Sequence, residues 1–135
     1  MKIQYITTDF EFESTENLHP IVKEIGDELV PQLDQWVDGI YRASFSGTGS
    51  EIYNEPEQTI NEFCNLIERL SEKSKKLWNG CKKRVADIAF ESGSEPNHLT
   101  YNLTDKLISR LNNLKIGIAI TIYPIGTYTY EKKET

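Results

Sequence analysis

The first dozen residues alternate. Phe10 and Phe12 fall on one side of a two-residue period, and Glu11 and Glu13 fall on the other. Ile3, Tyr5 and Thr7 alternate with Gln4, Ile6 and Thr8 ahead of them, so the spacing predicts a strand from Lys2 to Phe12. Ser14-Thr15-Glu16-Asn17 has the composition of a helix cap. A helix is predicted after it, with Pro20 in the first turn, where a missing N–H is harmless. Ile21, Val22, Ile25 and Leu29 form its apolar stripe, and Pro31 disfavours helix at Val30 and ends it. Residues 32–39 fit either a helical turn or the lead into a strand. Ile40 to Ser46 reads as extended, with Tyr41, Ala43 and Phe45 on one side, and Gly47-Thr48-Gly49-Ser50 reads as a turn.

The longest helical period runs from Asn54 to Trp78, through Ile60, Phe63, Cys64, Ile67, Leu70, Ser74 and Leu77. Asn54 followed three places later by Glu57 is a capping-box spacing, and Asn79-Gly80 supplies a stop. Arg84 to Phe90 is a second extended run, followed by a polar loop from Ser92 to His98. Asn102 is positioned to cap a short helix, Leu103 to Leu111, that Asn112-Asn113 closes. Lys115 to Tyr123 carries isoleucine at 116, 118, 120 and 122 and predicts a strand buried on both faces, stopped by Pro124. Tyr128 and Tyr130 continue a two-residue alternation that suits an edge strand. The order is strand–helix–strand–helix–strand–helix–strand, with no repeat and no linker. The expected fold is α+β: a single mostly antiparallel sheet with helices on one face, loosely ferredoxin-like. Residues 1–127 are expected to form one domain, with 128–135 as a tail.

The 135 residues are long enough for a hydrophobic core without a metal or disulfides. No apolar run approaches the ~20 residues of a membrane helix, so no membrane partner is expected. The N-terminus lacks the charged lead-in and apolar stretch of a signal peptide. A net charge of −6 argues against general nucleic-acid binding. The charge is unevenly placed: residues 1–68 hold 14 acidic and 3 basic side chains, while residues 69–135 hold 7 and 12. An acidic face formed by the front half would attract a basic partner and speed its association. Trp36, set between Asp34 and Asp38, is the residue type that anchors interfaces. The candidate contacts are Glu11, Glu13, Asp34, Trp36 and Asp38. The basic group Lys73, Lys75, Lys76, Lys82, Lys83 and Arg84 lacks interleaved aromatics and suits a solvated helix end.

Catalytic and metal signals are sparse. His19 and His98 are far apart and neither has metal-ligand spacing with Cys, Asp or another His. Gly47-Thr48-Gly49-Ser50 lacks the lysine of a phosphate-binding loop, and no Gly-x-Ser-x-Gly elbow occurs. Cys64 falls on an apolar helix face, and Cys81 beside Lys82, Lys83 and Arg84 has cations that favour thiolate. No catalytic residue, metal or cofactor is expected. An enzyme reading would gain from a cleft that brings either histidine beside a carboxylate.

The run from Leu103 to Ile108, then Leu111-Asn112-Asn113-Leu114-Lys115-Ile116-Gly117-Ile118 and Ile120-Thr121-Ile122-Tyr123, resembles a bacterial family of small domains of unknown function. The resemblance covers roughly residues 55–125 and includes the amphipathic helix before it. It departs from that family's pattern at Asn112-Asn113, where a Gly-containing turn is usual, and at Thr121, where an acidic residue is common. In size, acidity and architecture the chain is similar to the immunity proteins of bacterial toxin–immunity pairs, including contact-dependent growth inhibition systems. That resemblance implies a non-catalytic cytoplasmic protein that binds a cognate, basic toxin domain, possible nucleases among them, and occludes its active site. The alternative is a small-ligand or regulatory protein-binding domain.

Overall fold

The computed structural model describes residues 1–47 and 55–128. The elements are β1 (Gln4–Ser14), α1 (His19–Ile25), a 3-10 turn (Gly26–Glu28), β2 (Val30–Val37), β3 (Ile40–Ser46), α2 (Pro56–Glu68), α3 (Glu72–Asn79), β4 (Lys83–Glu91), α4 (Asp105–Asn113) and β5 (Gly117–Tyr123). All strands lie in one sheet, ordered β2-β3-β1-β4-β5. The pairings β2–β3, β3–β1 and β1–β4 are antiparallel, and β4–β5 is parallel. The chain is an α+β protein. Its first four strands follow the β-α-β-β-α-β order, with one helical segment split in two and the strands arranged β4-β1-β3-β2, which is the ferredoxin-like arrangement. The pair α4–β5 extends that sheet at the β4 edge.

The two-residue period of β1 divides the sheet's faces. Phe10 and Phe12 are fully buried beneath the helices, while Glu11 and Glu13 point to the open face. A register irregularity between Tyr5 and Thr7 shifts the phase, so Tyr5 reaches Thr8 at 2.7 Å and stacks edge-on against Phe90. The core lies between the sheet and the helices. Phe10 stacks on Phe63 of α2 with centroids 4.0 Å apart, and Phe12 meets Trp78 of α3 edge-on at 5.3 Å. Each such ring removes enough apolar surface from water to stabilise the fold by about 1.5–3 kcal/mol. Leu18, Ile21 and Ile25 close the core over one end, and Leu107 and Leu111 of α4 over the other.

Several expectations are corrected here. The single helix from Asn54 to Trp78 is two. Ser71 caps α3 by accepting from the Ser74 N–H at 3.2 Å, and Glu24 of α1 accepts from the Ser71 N–H at 2.8 Å, so the chain breaks between Arg69 and Ser71. Asn54 lies outside the described residues. The N-cap of α2 is Glu55, and Glu57 accepts from the Thr104 N–H at 2.7 Å. The α1 helix ends at Gly26, whose φ of 61° leaves the helix, and not at Pro31, which sits in edge strand β2 where a lost N–H is tolerated. The cap of α4 is Thr104, not Asn102, and the left-handed residue after it is Lys115, not Asn112 or Asn113.

The last of these corrections concerns β5. Among the described residues it is an edge strand, and it is not buried on both faces. Ile118, Ile120 and Ile122 are 40%, 66% and 61% exposed. The register places them beside Ala86, Ile88 and Phe90, on the helix-covered side, but the helix layer stops short of them. Of the turn expected at residues 47–50, positions 48–50 lie outside the described residues, as does Tyr130.

Candidate functional site

Residues 32–39, open between two readings from sequence, form β2 and a two-residue hairpin turn. Asp38 and Gly39 have φ of 50° and 81°, the left-handed pair that a tight hairpin requires, and Val37 pairs with Ile40 across it. Strand alternation then puts Asp34 and Trp36 on the helix side, opposite Ala43 and Tyr41. Tyr41 is buried. Its ring meets Trp36 edge-on at 5.1 Å and 85°. Its hydroxyl donates to Asp34 Oδ1, while His19 Nδ1 lies 2.7 Å from Asp34 Oδ2. Both oxygens of Asp34 are therefore engaged. Asn17 fixes His19 by accepting from its backbone N–H at 2.8 Å. Burial, and then the Asp34 carboxylate, pushes the Tyr41 phenol up to about 12. The result is an indole that is 51% exposed yet packed on one edge against a buried tyrosine whose hydroxyl is fixed on Asp34. Asp38 is exposed at the tip of the same hairpin.

Glu11 and Glu13 are elsewhere. They lie on the open face of the sheet, where Glu11 pairs with Lys83 and Glu13 with Arg42, each at 3.5 Å. With Leu33 and Ser44 they line a shallow depression of ≈ 180 Å³. The five candidate contacts thus do not form one surface: Asp34, Trp36 and Asp38 gather at the hairpin, and the two glutamates face away from Asp34 and Trp36.

The uneven charge along the chain also changes meaning once folded. Glu62 pairs with Arg69 at 3.6 Å, and Glu68 pairs with Arg110, which also donates to the Asn61 and Asn65 side chains. Glu24 accepts from Ser71 and Ser74, and these bonds hold its carboxyl below the usual range. Glu24 and Glu68, both in the front half, thus clamp one element to another. On the basic side, Arg84 donates to the carbonyls of Trp78 at 2.9 Å and Asn79 at 2.8 Å and lies over the Trp78 ring. That residue closes the end of α3.

The structure does bring a histidine beside a carboxylate, His19 beside Asp34. A carboxylate on Nδ1 orients an imidazole, and catalysis would further require a group to act on. Among the described residues no hydroxyl or thiol hydrogen-bonds the other ring nitrogen of His19, and Tyr41 holds its proton. His98 is not part of this group. Both cysteines are buried, and burial pushes each thiol up to about 11. For Cys81 the cation of Arg84 pulls the other way but more weakly, so the thiolate expected from its basic neighbours does not form at neutral pH. Among the described residues no three His, Cys, Asp or Glu side chains cluster to hold a metal. An apolar cleft lined by Pro56, Ile88, Phe90, Leu99, Tyr101 and Ile120 measures ≈ 280 Å³, just below the range of sites for drug-sized ligands. No helix among the described residues is long and apolar enough to cross a membrane.

Sequence reasoning missed Tyr41 and His19 as members of the hairpin site. The separations to Asp34 are 7 and 15 residues, and nothing local marks either contact. No family model matches the chain, and neither a curated protein nor a solved structure matches it.

Proposed function

We propose that this chain is a cytoplasmic bacterial immunity protein that binds a cognate toxin domain through the β2–β3 hairpin and blocks the toxin's active site. The observation that carries this reading is Trp36. A half-exposed indole packed edge-on against a buried ring has less rotamer freedom to lose on docking than a free one, and tryptophans of this kind dominate interface energies. Asp34 and Asp38 beside it suit a basic partner surface, and a net charge of −6 favours approach to one. A nuclease active site is basic because it must hold phosphates, so a toxin of that class fits the charge. The mechanism is steric cover assisted by electrostatic attraction. The alternative, a small-ligand or regulatory binding domain, would draw on the apolar cleft beside Tyr101.

The test uses the polypeptide encoded next to this chain. The two are co-expressed, growth protection is scored, and affinity is measured by titration calorimetry. Trp36→Ala is expected to keep the wild-type circular dichroism spectrum and to weaken binding by about 2 kcal/mol, roughly thirtyfold. Unchanged affinity in Trp36→Ala, or no binding by the neighbouring polypeptide, overturns the reading.

A further inference from the structure

The hairpin edge sets an exposed ring beside negative charge that no lysine or arginine of the described chain meets. Trp36 is half exposed, and Asp34 and Asp38 stand two residues to either side of it. Among the described residues no lysine or arginine pairs with either aspartate, whereas Glu11, Glu13, Glu62 and Glu68 each have such a partner. Asp34 shares the helix-facing side of β2 with Trp36, about 7 Å along the strand. Its side chain keeps 26% of its surface open. One of its oxygens is engaged by Tyr41 and the other by His19, and each has a second lone pair to offer. The described residues are interrupted after Gly47 and end at Tyr128, both at the other end of the strands. The Gly47 N–H donates to Thr8 and the Tyr128 N–H to Glu91, while Tyr41 lies beside Ser14.

We infer that the hairpin receives an arginine side chain of the toxin, its guanidinium lying on the exposed part of the Trp36 indole and donating to Asp34, with Asp38 at the rim. The inference rests on the proposed docking of a toxin at this hairpin and names what is docked. The chain builds the same kind of contact once within itself. The Arg84 guanidinium lies over the Trp78 ring, 5.7 Å from its centroid, while it donates to the carbonyls of Trp78 and Asn79. A guanidinium does both at once because it is planar: its face stacks and its edge donates, whereas an ammonium is a compact point charge with no face to stack. Desolvation selects the same occupant. A purely apolar surface covering Trp36 would also take water from the Asp34 carboxylate beside it and return no donor. An arginine covers the ring and replaces that water with charge-assisted N–H donors.

The test titrates the polypeptide encoded next to this chain, by calorimetry, against the full-length protein carrying tryptophan, monofluorotryptophan or difluorotryptophan at position 36 alone. Fluorine draws negative charge from the ring face and changes its size little, so affinity is expected to fall roughly twofold for each fluorine added. Trp36→Phe, which keeps a ring, should bind more tightly than Trp36→Leu, which keeps only apolar bulk. Asp34→Asn should bind about tenfold more weakly than wild type. The arginines of the neighbouring polypeptide are replaced one at a time by lysine and by alanine, and one position should lose affinity with both. Circular dichroism checks that each variant is folded. Affinity unchanged by fluorination, or no arginine whose replacement weakens binding, overturns the arginine, and the docking reading survives if Trp36→Ala still binds more weakly. No binding by the neighbouring polypeptide, or wild-type affinity in Trp36→Ala, overturns the docking reading and this inference with it.

Discussion

The two edges of this sheet are built on opposite plans. At β2 the backbone is interrupted by Pro31 and by a register irregularity between Pro31 and Leu33, and a charged side chain, Asp34, projects from the middle of the strand. Pairing with another strand there is discouraged, and a single large side chain, Trp36, is presented instead. At β5 the backbone is regular and uncharged, and three isoleucines lie in a row without a helix over them. An edge that refuses strands can still offer side chains to a foreign surface. An edge without such features leaves its strand open to pairing. Exposed apolar area alone does not separate these cases; backbone regularity and charge do.

The largest difference between the two edges is expected at Tyr41, the buried support of the β2 edge. Tyr41→Ala should destabilise the protein by about 3 kcal/mol, as core aromatic truncations do. Ile120→Ala at the β5 edge should stay within about 0.5 kcal/mol in dilute solution, because that side chain is largely in water. Urea unfolding at low protein concentration reads both. Comparable losses would mean that β5 is part of the core.

A smaller effect is expected at the hairpin turn. Gly39 has φ of 81° and nothing within 4 Å of where a Cβ would stand, so the cost of Gly39→Ala is conformational only. That cost is about 1–2 kcal/mol for a left-handed residue. Amide exchange should show β2 loosening while β5 is unchanged. Uniform loosening of both edges would contradict the separation drawn between them.

The smallest change concerns the open face between the edges. Asp9 is paired in register with Asp87, and burial holds its carboxyl above the ordinary 3.8, with Asp87 and Glu11 adding to the shift and a hydrogen bond from Ser46 opposing it. One of its oxygens, Oδ1, is buried without a hydrogen-bond partner. The folded state therefore binds this proton more tightly than the unfolded state. The stability it contributes is fully present below 3.8 and is lost as pH rises through the higher folded value. Asp9→Asn should raise the urea midpoint at neutral pH, and the gain should fade as pH falls into the carboxylate range. A gain that persists at low pH would rule out ionisation as its cause.

How much of this was readable from sequence depends on the range of the interaction. The faces of β1 were legible because alternation is local and Phe10, Glu11, Phe12 and Glu13 state it without ambiguity. The hairpin had a local signal as well: Asp38-Gly39 between apolar runs is a strong two-residue turn cue, and it resolves residues 32–39 as a strand. The break between α2 and α3 was hidden because the apolar spacing continues through it, while the groups that stabilise it, Ser71 and Glu24, are 47 residues apart. The misplacement of β5 has a different cause. A run of isoleucines reads the same whether a helix covers it or not, and coverage is decided by where α4 packs, against Asn61, Asn65 and Glu68 of α2. The Asp34 site was half legible. Trp36 and its flanking acids stood out, but Tyr41 and His19, which hold Asp34 in place beside it, are contacts that only the fold creates.

In the proposed function the hairpin edge docks the foreign protein and the β5 edge takes no part. Titration calorimetry of the neighbouring polypeptide against Trp36→Ala and Ile120→Lys, side by side, addresses it directly. The expected result is a roughly thirtyfold loss of affinity for Trp36→Ala and wild-type affinity for Ile120→Lys. Loss confined to Ile120→Lys, with Trp36→Ala binding as tightly as wild type, would contradict it.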